Sequence, residues 1–382
     1  MPPLKALAAL VIFFSIASIL LQQRYWLPLS SKGKSTLYVL QQSTAGVHHS
    51  EEFFLLNYEA MEKDLKVFVY PGGNPKMCYH SIDKKLKSNY ASEHYFFMNL
   101  RNSSFLTENP DEAHLFFIPL SCPPMKDQDA LPRYKEMVIQ NYVRALTIKY
   151  PYWNRTLGAD HFFVSCHGIG NRATAAFPFL LKNAIRLVCS PSYDSNYIPH
   201  KDVSLPQILE LSLPPERDGM WNDSTMESLP IQLSPVETHP PRTKLCFWAG
   251  SPNSEVRKNL RVHYKGLEEF EIHFVENVKR AFVLDTFQKE IYRSKFCICP
   301  RGKTQVGGVC LAESMAFGCV PEDDVPIMGE ILKGMPEDMF EKMRQNVLKV
   351  SKYFKWHFRP VKYDEFHMVM YELWKRRHVI RY

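Results

Sequence analysis

Short, almost continuously apolar runs decide the fold class of this chain. Leu65-Lys66-Val67-Phe68-Val69-Tyr70, Leu115-Phe116-Phe117-Ile118 and His161-Phe162-Phe163-Val164-Ser165 are too short for helices and lack the polar alternation of a sheet with one wet face. Strands of that kind are covered on both faces, as in a parallel sheet. Helical stretches lie between them. Arg133 to Ile148 carries Tyr134, Met137, Val138, Tyr142, Ala145 and Leu146 on a 3.6-residue stripe. Alternating strands and helices predict an α/β domain.

The pattern stops and restarts. Pro214-Pro215, Pro230, Pro235 and Pro240-Pro241 mark a polar linker over 213–242. Beyond it, Leu245 to Ala249 reads as a strand, Gly250 as its turn, and a helix begins at about Glu255. Phe296 to Cys299 is another strand, Val309 to Phe317 another helix, and Tyr363 to Val379 has helical texture. The expectation is two domains, over 61–212 and 243–350, followed by C-terminal helices over 351–382. A length of 382 residues suits that count. A hydrophobic fraction of 45% with 23% charged residues supplies a real core and excludes a disordered, collagen-like or coiled-coil chain. The net charge of +7 is spread along the chain with no Lys/Arg block, so nucleic acid is not an expected partner.

Ala6 to Leu21 is apolar except for Ser15 and Ser18. Residues 6–23, between Lys5 and Arg24, would span roughly 27 Å as a helix, close to the ~30 Å hydrocarbon core of a bilayer. No A-x-A cleavage site follows, and Tyr25 and Trp26 suit a membrane interface. We therefore read 1–5 as a cytoplasmic tail, 6–23 as a retained signal anchor and the polar 24–60 as a stem. Sequons at Asn102, Asn154 and Asn222 agree with a lumenal placement of the remainder. The nine cysteines are odd in number, and spacing does not give their pairing. Cys297 and Cys299 point to one face of their strand; with no second close pair to complete a zinc site, buried free thiols are the favoured reading.

Three places can carry chemistry. In FCICPRGKTQVGGVCLAESMAFGCVP (296–321) a strand ends in a turn holding Arg301, Gly302 and Lys303, and an apolar helix follows with Glu313 and Ser314. Glycines let backbone N–H groups approach a phosphate, and a helix N-terminus favours an anion. Glu313 can accept from ribose hydroxyls. The plain alternative is a basic turn before a core helix, with Glu313 in solvent. The second place is Gly250 with Arg257, whose guanidinium can grip a diphosphate bidentately or form only a surface salt bridge. The third is His167, just after a buried strand, as a general base or a structural histidine. No G-x-S-x-G elbow or H-E-x-x-H helix is present, which argues against a hydrolase.

Taken together, KVFVYPGG (66–73), NPDEAHLFFIPLSC (109–122), YPYWNRTLGADHFFVSCH (150–167), YIPHKDVSLPQ (197–207), LCFWAGSPNSEVRKNL (245–260), YRSKFCICPRG (292–302) and LAESMAFGCVP (311–321) give the chain its family look. It resembles the plant exostosin-like glycosyltransferases over nearly all of 61–382. The resemblance implies a Golgi, single-pass type II membrane enzyme with a lumenal catalytic part. It implies two Rossmann-like domains in a GT-B arrangement behind the N-terminal anchor helix. It implies inverting transfer of a sugar from a nucleotide-diphosphate sugar to a cell-wall polysaccharide or glycoprotein glycan, with no cofactor and no metal site, and it allows a complex with other Golgi glycosyltransferases. Gly250, Arg257, Arg301, Gly302, Glu313 and Ser314 then fall in the donor-binding region, and His167 at the cleft edge as the catalytic candidate.

Two departures stand out. Relatives commonly read Cys-His-Asp where this chain has Cys166-His167-Gly168. They also continue after the Gly-Cys-Val-Pro segment with an apolar strand, whereas here Pro321 runs into Glu322-Asp323-Asp324, as if the domain were shortened. These departures leave a second reading open: a catalytically inactive, membrane-anchored glycan-binding or scaffold partner.

Overall fold

The computed structural model describes residues 51–71, 91–120, 132–206 except 167, 176, 190 and 192–195, 241–275, 287–300 except 288, 310, 314–315, 319–322 and 328–377. The first part runs α1 (Glu51–Asp64), β1 (Val67–Val69), α2 (Ala91–Arg101), β2 (Leu106–Thr107), β3 (Leu115–Phe117), α3 (Pro132–Lys149), β4 (His161–Val164), α4 (Gly168–Ala175), α5 (Pro178–Asn183), β5 (Ile185–Val188) and β6 (Val203–Ser204). The second runs β7 (Lys244–Gly250), α6 (Glu255–Tyr264), β8 (Phe270–Phe274), β9 (Ser294–Ile298), β10 (Val320–Glu322), α7 (Met328–Lys333), α8 (Glu337–Ser351) and α9 (Glu365–Arg376).

Two parallel sheets result. The six-stranded sheet has the order β2-β1-β3-β4-β5-β6, and the four-stranded sheet β10-β9-β7-β8. Every strand pair is parallel. The continuous apolar runs follow from burial on both faces. Val67, Leu115, Phe117, Phe162 and Val164 meet α1, α2 and α9 on one side of the first sheet. Phe68, Phe116 and Phe163 meet α3, α4 and α5 on the other. In the second sheet Cys246 and Trp248 join the core with α6, α7 and α8, while Phe247 and Ala249 face the opposite layer.

Several expectations shift. The helical stripe in α3 is rotated by about one position: Ile139, Val143 and Leu146 are buried, and Met137 is 47% exposed. Two adjacent rows of α3 are apolar, and packing selects one. Residues 51–60, read as the end of the stem, belong to α1, whose Phe54, Tyr58 and Met61 enter the first core. A short strand, β10, begins within the Gly-Cys-Val-Pro segment itself. Val320, Pro321 and Glu322 pair with Phe296, Cys297 and Ile298. Among the described residues β10 is an edge strand, where proline is tolerated because one side needs no ladder donor.

The favoured reading of Cys297 and Cys299 as free thiols is overturned. Cys297 bonds Cys319, Cys299 bonds Cys310, and Cys166 bonds Cys189. The partners come from segments brought alongside only by the fold. Cys246 is buried. No helix among the described residues is long and apolar enough to cross a membrane; the expected anchor at 6–23 and the linker residues 213–240 lie outside them.

The end of the chain links the two sheets. Phe340, Met343 and Val347 of α8 pack on the second core, and Phe366, Val369, Met370 and Trp374 of α9 belong to the first. Asn99 Nδ2 donates to the His357 carbonyl (3.0 Å) and Trp356 Nε1 to the Pro206 carbonyl (3.2 Å), fixing the crossing segment to the first part.

Candidate active site

In an open parallel sheet, ligands bind beyond the carboxyl ends of strands, where the order reverses. In the second sheet that point lies between β7 and β9, since β8 continues to one side and β10 to the other. Gly250 closes β7, and Cys299-Pro300 follow β9 at the same level. A side chain at Gly250 would put its Cβ 3.1 Å from the Trp248 ring, so the close approach of that ring favours glycine.

Arg257 spans the reversal. Ser254 caps α6 by accepting from the Arg257 N–H (3.3 Å), which sets the first turn and the direction of the Arg257 side chain. Its Nε donates to the Pro300 carbonyl (3.2 Å), and its Nη1 to the Ser251 carbonyl (3.3 Å) and Asn253 Oδ1 (3.2 Å). The turn after β7 and the turn after β9 are thus tied through one guanidinium. Burial lowers its pKa, yet it stays charged at any physiological pH. The surface salt bridge weighed as its alternative is not formed among the described residues; its acceptors are neutral oxygens, so the positive charge is not cancelled. Asn253 is a site residue that sequence reasoning missed, and its one signal is its place in the turn after Gly250.

The Cys299–Cys310 disulfide joins the residue after β9 to a position 11 residues on. Ser314 is 2% exposed, its hydroxyl donates to the Cys310 carbonyl (2.7 Å), and it lies 3.4 Å from Cys299 Sγ. Ser314, one of the expected donor-site residues, is thus buried against this cross-link. Arg301, Gly302 and Glu313 lie outside the described residues, as does His167. Its neighbour Cys166 follows β4 and is bonded to Cys189 after β5.

The first sheet holds a buried polar chain that no sequence motif announces. Asp160 Oδ1 accepts from His161 Nδ1 (2.7 Å), and Tyr70 Oη donates to His161 Nε2 (2.6 Å), the tautomer being set by the carboxylate. Arg155 donates to Asp160 Oδ2 through Nε (2.9 Å) and Nη2 (2.7 Å), and Thr156 Oγ1 to Oδ1 (2.6 Å). Burial alone would raise the Asp160 pKa, but these donors hold it below the usual carboxylate range. Burial lowers the pKa of His161. His161 sits at the amino end of β4, fully buried and stacked on Phe116 at 5.0 Å, so the chain serves the fold. Of the sequons, Asn102 and Asn154 are exposed, and Asn222 lies outside the described residues.

The model of the exostosin GT47 domain matches residues 61–321. The chain belongs to this family. The match takes in β1 through Pro321 of β10 and so contains both sheets with the Gly250–Arg257–Pro300 junction. A protein named probable glycosyltransferase from Arabidopsis thaliana is 29% identical over 367 residues, covering 87% of this chain and 72% of its own. A probable glucuronosyltransferase of Oryza sativa subsp. japonica is 26% identical over 315 residues, 72% of each chain. A probable beta-1,4-xylosyltransferase of Arabidopsis thaliana is 25% identical over 282 residues, 67% of this chain and 62% of its own. Family and relatives agree on the class of activity: the chain is a glycosyltransferase.

Proposed function

We propose that this glycosyltransferase moves a sugar, with inversion, from a nucleotide-diphosphate sugar to a cell-wall polysaccharide or glycoprotein glycan. It works in the Golgi lumen, held by the anchor at 6–23. The two parallel sheets, with α8 on one and α9 on the other, support a GT-B arrangement of two Rossmann-like domains. The observation that carries the donor site is Arg257 at the strand-order reversal of the second sheet, bound to both flanking turns. Among the described residues its Nη2 has no partner, which leaves the two Nη2 N–H groups for a diphosphate.

Inversion needs a base for the acceptor hydroxyl and positive charge for the departing diphosphate. In this reading Arg257, Arg301 and the backbone N–H groups near Gly302 supply the charge, and Glu313 holds the ribose. His167, at the carboxyl end of β4, is the candidate base, and Gly168 leaves it without the neighbouring acid that relatives carry. No resident cofactor is needed for this chemistry.

The test is incubation of the full chain with a panel of nucleotide sugars and wall oligosaccharides, read as donor hydrolysis and transfer. Arg257→Ala is expected to lower kcat/KM by about 100-fold or more, the scale of one lost transition-state donor, and Glu313→Ala to abolish turnover. A correctly folded chain that binds glycans but turns over no donor favours the inactive-partner reading instead.

A further inference from the structure

Ahead of β4, at the amino edge of the first sheet, two large apolar side chains face solvent, and glycosyl transfer uses neither. Leu157 is 64% exposed and Phe179 is 71% exposed. They belong to one patch: Asn183 Nδ2 donates to the Leu157 carbonyl (2.8 Å), and Phe179 stands one turn before Asn183 on α5. Leu157 also has a φ of 55°. The left-handed region suits glycine or asparagine and strains a leucine, so local backbone preference does not account for this residue.

The turn that carries Leu157 is firmly held. Arg155 grips Asp160 through Nε and Nη2, and Nη2 also reaches the Ala113 carbonyl (3.1 Å). Gly158, with a φ of 85°, lies under the Trp153 ring, where a Cβ would meet ring carbon at 2.2 Å. Asn154 lies three residues before Leu157, within the 3-10 helix Pro151–Arg155, and is exposed. With Arg155 and Thr156 it forms one of the N-x-S/T sequons. Three residues of chain span at most about 10 Å, a gap that an asparagine side chain and one attached pyranose can bridge.

We propose that Asn154 carries an N-linked glycan whose first N-acetylglucosamine ring covers Leu157 and Phe179. In the attachment, Asn154 Nδ2 forms a bond to C1 of an oligosaccharide borne on a lipid diphosphate. The C1–O bond breaks, the lipid diphosphate leaves with the electron pair, and one amide proton passes to base. The fold also sets the timing. Thr156 Oγ1 donates to Asp160 Oδ1 (2.6 Å) and accepts from the Asp160 N–H (3.1 Å), so the sequon hydroxyl is engaged once the turn has closed. The sugar is therefore added before this turn folds. Afterwards the C–H face of the ring lies on the leucine and the phenylalanine, and its hydroxyls stay in water. Asn102 is the natural control, since its apolar neighbours Leu100 and Phe105 are buried and offer a sugar no such surface. The proposal rests on the lumenal placement of the chain, which the Cys166–Cys189 disulfide supports.

The experiment makes the full chain in a eukaryotic secretory pathway, unsubstituted and as Asn154→Gln, Phe179→Ser and the double variant. Glycopeptide mass spectrometry reads occupancy, and thermal unfolding reads the packing. Sugar is expected on Asn154 in the unsubstituted chain and in Phe179→Ser. Phe179→Ser should lower the unfolding temperature of the glycosylated chain by about 2–4 °C, the scale of one modest contact in a domain of this size. It should leave that of the Asn154→Gln chain unchanged. An unmodified Asn154 in a chain whose Cys166–Cys189 bond has formed overturns the proposal. So does a Phe179→Ser shift of equal size with and without the sugar, which would assign the patch to another cover such as a second copy of the chain, and so does no shift in either. Failure of the lumenal reading shows separately, as both Asn102 and Asn154 unmodified with Cys166 and Cys189 recovered as thiols, and it takes this proposal with it.

Discussion

The two sheets follow one parallel plan but are held by different means. The first has six strands and a core crowded with aromatic rings: Phe96, Phe105, Phe117, Phe162 and Phe366 are all essentially inaccessible. Among the described residues one disulfide, Cys166–Cys189, joins two of its strand ends. The second has four strands and a smaller core, with two disulfides gathered around β9. Small cores bury a smaller share of their surface and gain more from covalent staples. The difference also follows function. The cross-linked strand is the one that leads into the proposed donor turn.

The sharpest test of the first half of that comparison is Phe366→Ala. Phe366 packs 5.7 Å from Phe96 and 6.1 Å from Phe105, ring centroid to centroid, and anchors α9 in the first core. Truncating a buried phenylalanine costs about 3–5 kcal/mol. Urea unfolding should show that loss. A change on the scale of a surface substitution, about 0.5 kcal/mol, would mean that α9 contributes little to the first sheet.

The sequence shows the first sheet more plainly than the second, and its failures have physical causes. β1, β3 and β4 are legible because burial on both faces leaves no polar residue inside them except the terminal His161. β5 is not, because Arg186 interrupts Ile185-Arg186-Leu187-Val188. That guanidinium is 2% exposed and finds partners only in the fold, its Nη2 donating to Asp202 (3.2 Å) and to the Asn196 carbonyl (2.7 Å). Gly250 and Arg257 are legible as candidates because a turn after a strand and the first turn of a helix are local features. The bond from Arg257 to Pro300 is not, since 43 positions separate them. The same holds for Tyr70 and His161, 91 positions apart, and for every disulfide.

The second half of the comparison is tested by removing staples. In the loop-closure account the Cys297–Cys319 bridge, with a separation of 22, contributes about 3.4 kcal/mol and the Cys299–Cys310 bridge, with 11, about 2.8 kcal/mol. Cys299→Ser with Cys310→Ser should therefore destabilise somewhat less than Cys297→Ser with Cys319→Ser. The 299/310 pair should nevertheless cost more donor affinity, because it closes the stretch of chain that carries the proposed donor residues Arg301 and Gly302. Thermal unfolding gives the first order and nucleotide-sugar titration the second. Equal donor affinity in both double variants would remove the link between cross-link and site.

The smallest expected effect separates the sheets by acid. In the first sheet His161 is held neutral, its pKa lowered by burial against the pull of Asp160. The unfolded chain protonates this histidine below about pH 6.5, and the folded chain does so only at lower pH. The unfolded state then binds more protons, so stability falls as pH drops below that value, by up to about 1.4 kcal/mol per unit. Asp160 acts lower on the scale. Its folded pKa lies below the unfolded value of about 3.9, so its contribution is intact above that value and is lost as pH falls through the folded one. Between about pH 6.5 and 4 His161 therefore contributes a slope of this sign, while Glu365 of α9, its pKa raised by burial, contributes one of the opposite sign. His161→Gln should be less stable at pH 7.5, because Tyr70 and Asp160 lose their shared partner, yet flatter in stability from pH 7 to 5. Urea unfolding at half-unit pH steps reads both. A slope from pH 7 to 5 that survives the substitution would place that acid sensitivity outside His161.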